Sequence, residues 1–237
     1  KMYFERERTL DYCRAVAGIA SAHPEVGTGA VRLAVLPDFL TVPAATEILG
    51  GTGVYVGAQD LAPEARGAFT GEVSGADLAA LGVRCVEVGH AERRTIFKED
   101  DQMVARKTAT AIGTGLIPLL CVGEAERSDP AEAAAVCAAQ VADAVGGSTG
   151  AEVWVAYEPY WAIGAPEPAP ADYVIAVCEE LRGALAQSVP SHSLLYGGSA
   201  GPGLLTRLGL AVDGLFLGRF AHDPAAFGRV VEEALAR

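Results

Sequence analysis

Glu158 and His90 are the two side chains whose surroundings best suit them to moving protons. The run at 152–157 (EVWVAY) is β-branched and aromatic, as a buried strand would be, and it delivers Glu158 at its end, immediately before Pro159. A carboxylate there is poorly hydrated, so its pKa should rise toward neutrality and it can accept a proton from carbon. His90 follows the strand-like run at 84–88 and precedes a helical turn, whose amide dipoles favour a neutral imidazole that donates to a carbonyl oxygen and shuttles protons. Gly197-Gly198-Ser199 and Gly218-Arg219 end two further strand-like runs, where glycines let the backbone approach an anion and present amide donors. Taken singly, each has an ordinary reading: a solvent-facing Glu, a packed histidine, two tight turns. Their common position, at the ends of strands, is what argues for one site.

The elements that must position them alternate along the whole chain. Helical spacing over 6–23 is followed by a strand at 31–36, a helix at 41–49 stopped by Gly50-Gly51, and a strand at 53–58. Helices at 76–81 and 101–112 flank the strand at 84–88, and a strand at 116–122 follows. Asp129-Pro130 starts a long Ala-rich helix ending at Gly146-Gly147. After the strand at 152–157 come a helix at 171–186, a strand at 192–196, a short helix at 202–208 and a strand at 213–217, with Asp223-Pro224 opening the last helix. Apolar, non-alternating strands fit a parallel sheet covered by helices. The pattern predicts an α/β chain of the (β/α)8 barrel type, one domain over 1–237, with its first strand expected before Lys1. A doubly wound open sheet is the competing fold. In either, chemistry gathers beyond the strand C-termini.

Composition excludes several classes. A formal net charge of -12, with the 18 Lys and Arg scattered, argues against a nucleic-acid surface, so an anionic substrate needs a local positive pocket. The 5 cysteines carry no close pairing, which points to reduced thiols in a cytoplasm and to no metal centre. Cys121 has no basic partner in sequence and reads as a packed thiol. No apolar run is long enough to span a membrane, and no signal peptide is expected.

The ordered motifs Lys1-Met2, 67–72 (GAFTGE), Gly89-His90-Ala91-Glu92-Arg93-Arg94, Cys121-Val122-Gly123-Glu124, 157–164 (YEPYWAIG), Tyr196-Gly197-Gly198-Ser199 and 213–218 (DGLFLG) resemble those of the triosephosphate isomerase family over essentially the whole chain. The resemblance implies a cytoplasmic aldose–ketose isomerase without cofactor, interconverting dihydroxyacetone phosphate and glyceraldehyde 3-phosphate in glycolysis and gluconeogenesis. By it, Glu158 is the base and His90 the neutral electrophile. Lys1 supplies positive charge, with Glu92 paired to it, and Gly164, Ser199, Gly218 and Arg219 hold the phosphate. Residues 159–168 form a lid. This mechanism is the general one for the family, which serves as a standard illustration of pKa tuning and lid closure. The resemblance also implies a homodimer through the loop at 59–72, with Thr70 at the contact and an intersubunit ion pair between Glu72 and Arg93.

Several positions depart from the family pattern: Ala91 where serine is usual, Tyr3 where asparagine follows Lys-Met, Arg219 for a second glycine, and Glu167-Pro168-Ala169 at the lid hinge, with Pro166 and Pro168 stiffening it. They keep the acid/base set and alter its frame, so a paralogue acting on a four-carbon ketose phosphate of the erythrulose phosphate type stands beside the three-carbon substrate, which ranks first. Two readings come from other classes. One is a noncatalytic phosphate-binding barrel. The other is a serine hydrolase, since 197–201 satisfies Gly-x-Ser-x-Gly with Asp213 and His222 following, although the spacing leaves too few elements between them.

Overall fold

The computed structural model describes residues 1–146, 150–165 and 167–237, so Gly147 and Pro166 lie outside the described residues. The chain opens on α1 (Arg6–Ala22) and α2 (Pro24–Thr28), then runs β1 (Ala34–Val35), α3 (Val42–Leu49), β2 (Tyr55–Ala58), α4 (Gly75–Ala80), β3 (Cys85–Val88), α5 (Ala91–Ile96) and α6 (Asp101–Gly113). It continues with β4 (Ile117–Val122), α7 (Pro130–Val145), β5 (Val153–Tyr157), α8 (Ala171–Ser188), β6 (His192–Tyr196), α9 (Leu204–Leu208), β7 (Gly214–Leu215) and α10 (Pro224–Leu235). The local signals explain the starts. Asp100, Asp129 and Asp223 each accept a hydrogen bond from an amide of the first turn of α6, α7 and α10, and Pro130 and Pro224 occupy first-turn positions where no amide hydrogen is needed.

All strand pairs are parallel and the 7-stranded sheet keeps sequence order from β1 to β7. That order has no reversal, which excludes the doubly wound sheet, whose strand order must switch direction. The sheet curls in the manner of a (β/α)8 barrel. Among the described residues, no strand pairs β1 with β7, and both line one cavity of about 970 Å³. Inside the curl, Cys85, Leu119, Cys121, Trp154 and Ala156 form a small apolar cluster, while a larger core fills the space between sheet and helices. Below the cluster, Tyr55 stacks on Trp154 at 6.0 Å, with Arg32 over the indole and Arg84 over the phenol ring. No helix of the described residues is long and apolar enough to cross a membrane.

One buried ionic cluster ties the loops after β2 and β3 to α6. The Lys107 ammonium, 2% exposed, lies 2.7 Å from both Asp60 oxygens and 2.6 Å from Glu99 Oε1. Arg93 Nε contacts the same two carboxylates at 2.9 and 2.6 Å. Burial still holds the Asp60 carboxyl above its ordinary range, with Lys107 and Arg93 pulling the other way. Lys107→Met leaves two buried carboxylates sharing one cation. Breaking a buried pair in this way typically costs about 3–5 kcal/mol. For a chain of this size, that is a fall in Tm on the order of 10 °C, to be read by calorimetry; a change within about 2 °C contradicts the energetic role given to the cluster.

Candidate active site

The site is assembled from the C-terminal ends of the strands. Glu158 directly follows β5, its amide donating to Val122 of β4 at 2.8 Å, so the sheet ladder itself fixes where its side chain starts. His90 is the N-cap of α5, a helix that begins two residues after β3. Both are buried, at 5% and 4% exposure. His90 Nε2 and Glu158 Oε2 lie 3.7 Å apart, and among the described residues Glu158 Oε2 has no hydrogen-bond partner.

The tautomer of His90 follows from its other nitrogen. The backbone amide of Glu92 donates to Nδ1 at 3.1 Å, so Nδ1 is the acceptor and the single proton of the neutral ring sits on Nε2, directed into the cavity. Burial, then the Lys1 charge, lowers the His90 pKa to about 4, with Glu92 opposing. The α5 N-terminus disfavours imidazolium in the same sense. Glu158 moves the opposite way: burial raises its pKa to about 8, Lys1 pulling it down and Glu92 adding to the rise. Two titratable groups pushed apart, one a neutral donor and the other a carboxyl with elevated proton affinity, can polarise a carbonyl and take a proton from the carbon beside it.

Lys1 Nζ lies 2.5 Å from Glu92 Oε1, with both side chains nearly half exposed. Burial works against ionised Glu92, but the hydrogen bond and charge of Lys1 hold it below its ordinary range. The four sequence-derived residues Glu158, His90, Lys1 and Glu92 are thus brought together. Gly164, Ser199, Gly218 and Arg219 line the same cavity, from the segment after β5 and the turns after β6 and β7. The amides of Gly164, Ser199 and Gly218 donate to no other backbone carbonyl among the described residues, which leaves them available to an anion.

Within its own chain Arg93 meets Asp60 and Glu99 and lies over Phe97, while Thr70 and Glu72 are exposed in their loop. The hydrolase reading fails on geometry. Asp213 is taken by Arg182 and the Leu194 amide, and His222 packs against the rings of Tyr3 and Phe4, so no Ser-His-Asp relay exists.

The structure gives Glu124 and Gly123 roles that their motif alone did not show, and adds Gln140. Glu124 Oε1 accepts from Tyr157, Trp161 and Tyr173 at 3.1, 2.7 and 3.0 Å, which anchors the start of the 159–168 segment to the end of β4. Gln140 clamps Gly123 through both its amide and its carbonyl at 3.0 Å. At Gly123 a Cβ would come within 1.8 Å of the Glu158 carbonyl oxygen, and at Gly197 within 2.6 Å of Glu158 Cγ. These glycines make room for Glu158. Gly197→Ala should therefore push the carboxylate off its line to His90 and lower kcat by about 10²-fold, the usual penalty for misplacing a reacting group by an ångström. Unchanged kcat in a folded Gly197→Ala protein would mean that Glu158 is not positioned by this contact.

The sequence profile described as triosephosphate isomerase matches residues 1–234. The chain belongs to the triosephosphate isomerase family. Within that family it is 49% identical to an L-erythrulose-1-phosphate isomerase of Pectobacterium atrosepticum, over 99% of this chain and 93% of the relative. It is 36% identical to a triosephosphate isomerase of Solibacter usitatus, over 84% of this chain and 85% of that one. Triosephosphate isomerase from Bartonella henselae superposes with a TM-score of 0.84 at 26% identity, covering 100% of this chain and 96% of the other. Membership explains why the polar groups converge at one end of the sheet.

Proposed function

We propose that this family member isomerises a four-carbon ketose phosphate, L-erythrulose 1-phosphate, through an enediolate. The observation that carries the reading is the 49% identity, over 99% of the chain, to a relative bearing that name, against 36% over 84% for the triosephosphate isomerase compared with it. This reverses the order reached from sequence, where the three-carbon pair came first. The departures Ala91, Tyr3 and Arg219 support it, since Tyr3 and Arg219 line the cavity and Ala91 adjoins His90.

In this reading the phosphate on C1 is held by the amides of Gly164, Ser199 and Gly218, with the Arg219 guanidinium beside them. Ionised Glu158 takes the proton from C3. The C3–H electrons form the C2–C3 double bond, and the C2 carbonyl oxygen receives the Nε2 proton of His90. Glu158 then returns its proton to C2, while the C3 hydroxyl proton passes to His90 and the carbonyl re-forms at C3. The product of these steps is erythrulose 4-phosphate, again a ketose, because a hydroxymethyl group stands where a triose carries the aldehyde hydrogen. The same residues serve dihydroxyacetone phosphate with glyceraldehyde 3-phosphate as the product. Lys1 balances developing negative charge on oxygen, with Glu92 orienting it. The exposed apolar side chains Phe69, Ile96 and Phe97 support a homodimer. Comparing kcat/KM for L-erythrulose 1-phosphate and dihydroxyacetone phosphate tests the substrate: the expected preference for the tetrulose phosphate is at least about 10-fold, the lower end of what one extra substrate group supplies. Preference for dihydroxyacetone phosphate refutes the assignment.

A further inference from the structure

The inner face of β3 carries Cys85 and Glu87. Cys85 joins Leu119, Cys121, Trp154 and Ala156 in the apolar interior of the curl, whereas Glu87, opposite Leu119 in the register, places a carboxyl among them. It is partly exposed, and what it faces is the cavity that also holds His90, Glu92 and Glu158. Among the described residues no hydrogen bond holds its carboxyl: the influences on it are burial first, then the charges of Glu158, Lys1 and Asp60. The charges of Glu158 and Glu87 both push the Cys121 thiol up, after burial. An acid on the apolar inner face of the sheet adds nothing to its packing. The reaction sequence described above does not use it.

The layout of the site gives it a use. The phosphate contacts come from the segments after β5, β6 and β7, and His90 comes from the opposite side, after β3. A substrate with its phosphate on the first set and its two reacting carbons between Glu158 and His90 sends its next carbon onward, toward β3. A triose ends at the reacting carbon. A tetrulose carries one more hydroxymethyl group, and the polar side chain that β3 presents below His90 is Glu87. We propose that Glu87 is a specificity-determining residue that hydrogen-bonds the terminal hydroxymethyl group of the four-carbon substrate. The inference rests on the tetrulose phosphate reading. Burial, with Glu158 next, raises the Glu87 pKa to about 8, so near neutral pH it is mostly a carboxylic acid, which can donate to a hydroxyl as well as accept from one.

The test is kcat/KM of wild type, Glu87→Leu, Glu87→Met and Glu87→Gln on L-erythrulose 1-phosphate and on dihydroxyacetone phosphate, with Tm for each protein. The two apolar variants should lose on the order of 30-fold on the tetrulose phosphate, the scale of one buried hydrogen bond. On the triose phosphate they should stay within about threefold, and Gln should recover most of the loss. Melting temperatures at or above wild type are expected for the apolar pair, and two shapes guard against one packing defect. Equal losses on both substrates, or no loss on either, overturn the proposal, because a role confined to tuning Glu158 or to stability does not distinguish substrates. Failure of the functional reading shows separately, in the wild-type preference alone.

Discussion

Glu158→Gln is expected to lower kcat on the order of 10³- to 10⁴-fold, the upper range for removing a positioned base, with KM and Tm close to wild type. Glutamine fills the same volume, and Glu158 Oε2 gives up no hydrogen bond because it has none among the described residues. The pH profile, read in wild type and in Glu87→Gln because burial raises Glu87 to about 8 as well, should identify the same group. Only ionised Glu158 can take a proton, and its pKa is raised to about 8, so kcat/KM of the free enzyme should climb with pH and level off above that value. His90, lowered to about 4, stays neutral through the whole climb and does not shape it. Below pH of about 6 the ionisation of the substrate phosphate adds a second slope. A noncatalytic phosphate-binding barrel would show neither the profile nor the mutational loss.

His90→Gln carries the second large effect. Its Nε2–H is the neutral donor facing the cavity, and removing one such donor to a developing oxyanion typically lowers kcat on the order of 10²- to 10³-fold. KM should change little, since the hydrogen bond strengthens as charge forms on the oxygen rather than when substrate binds. Steady-state kinetics on either substrate reads this directly. A rise in KM with kcat intact would instead make His90 a ground-state contact.

Much of this was legible because the informative residues sit at strand ends. Glu158 before Pro159, and His90 after an apolar run, carry their positions in the local sequence, and Asp-Pro pairs mark the starts of α7 and α10. What resisted were pairings set by tertiary approach. Within its own chain Arg93 meets Asp60, at the start of the 59–72 loop that also carries Glu72, and Lys107 at the midpoint of α6 completes the cluster. Gly197 read as a glycine for close approach to an anion, while the structure adds the Cγ of Glu158 as the group that needs the space. Glu87 was hidden inside an apolar strand, where one acid among Cys85, Val86 and Val88 reads only as a surface position. After His90 the sequence showed only a helical turn, because Gly89 to Arg94 is too short for a periodic signal, and the structure extends that turn into α5, whose N-terminus fixes the His90 tautomer.

The central claim is that Glu158 carries a proton between adjacent carbons of a ketose phosphate. Turnover in D₂O, followed by proton NMR of the product, measures that transfer at the bond concerned. The account predicts that the receiving carbon gains either the proton taken from its neighbour or, where the Glu158 carboxyl exchanges with solvent before returning it, deuterium, and that Glu158→Gln slows both turnover and deuterium uptake by the same large factor. Turnover or deuterium uptake at an undiminished rate in Glu158→Gln would contradict it.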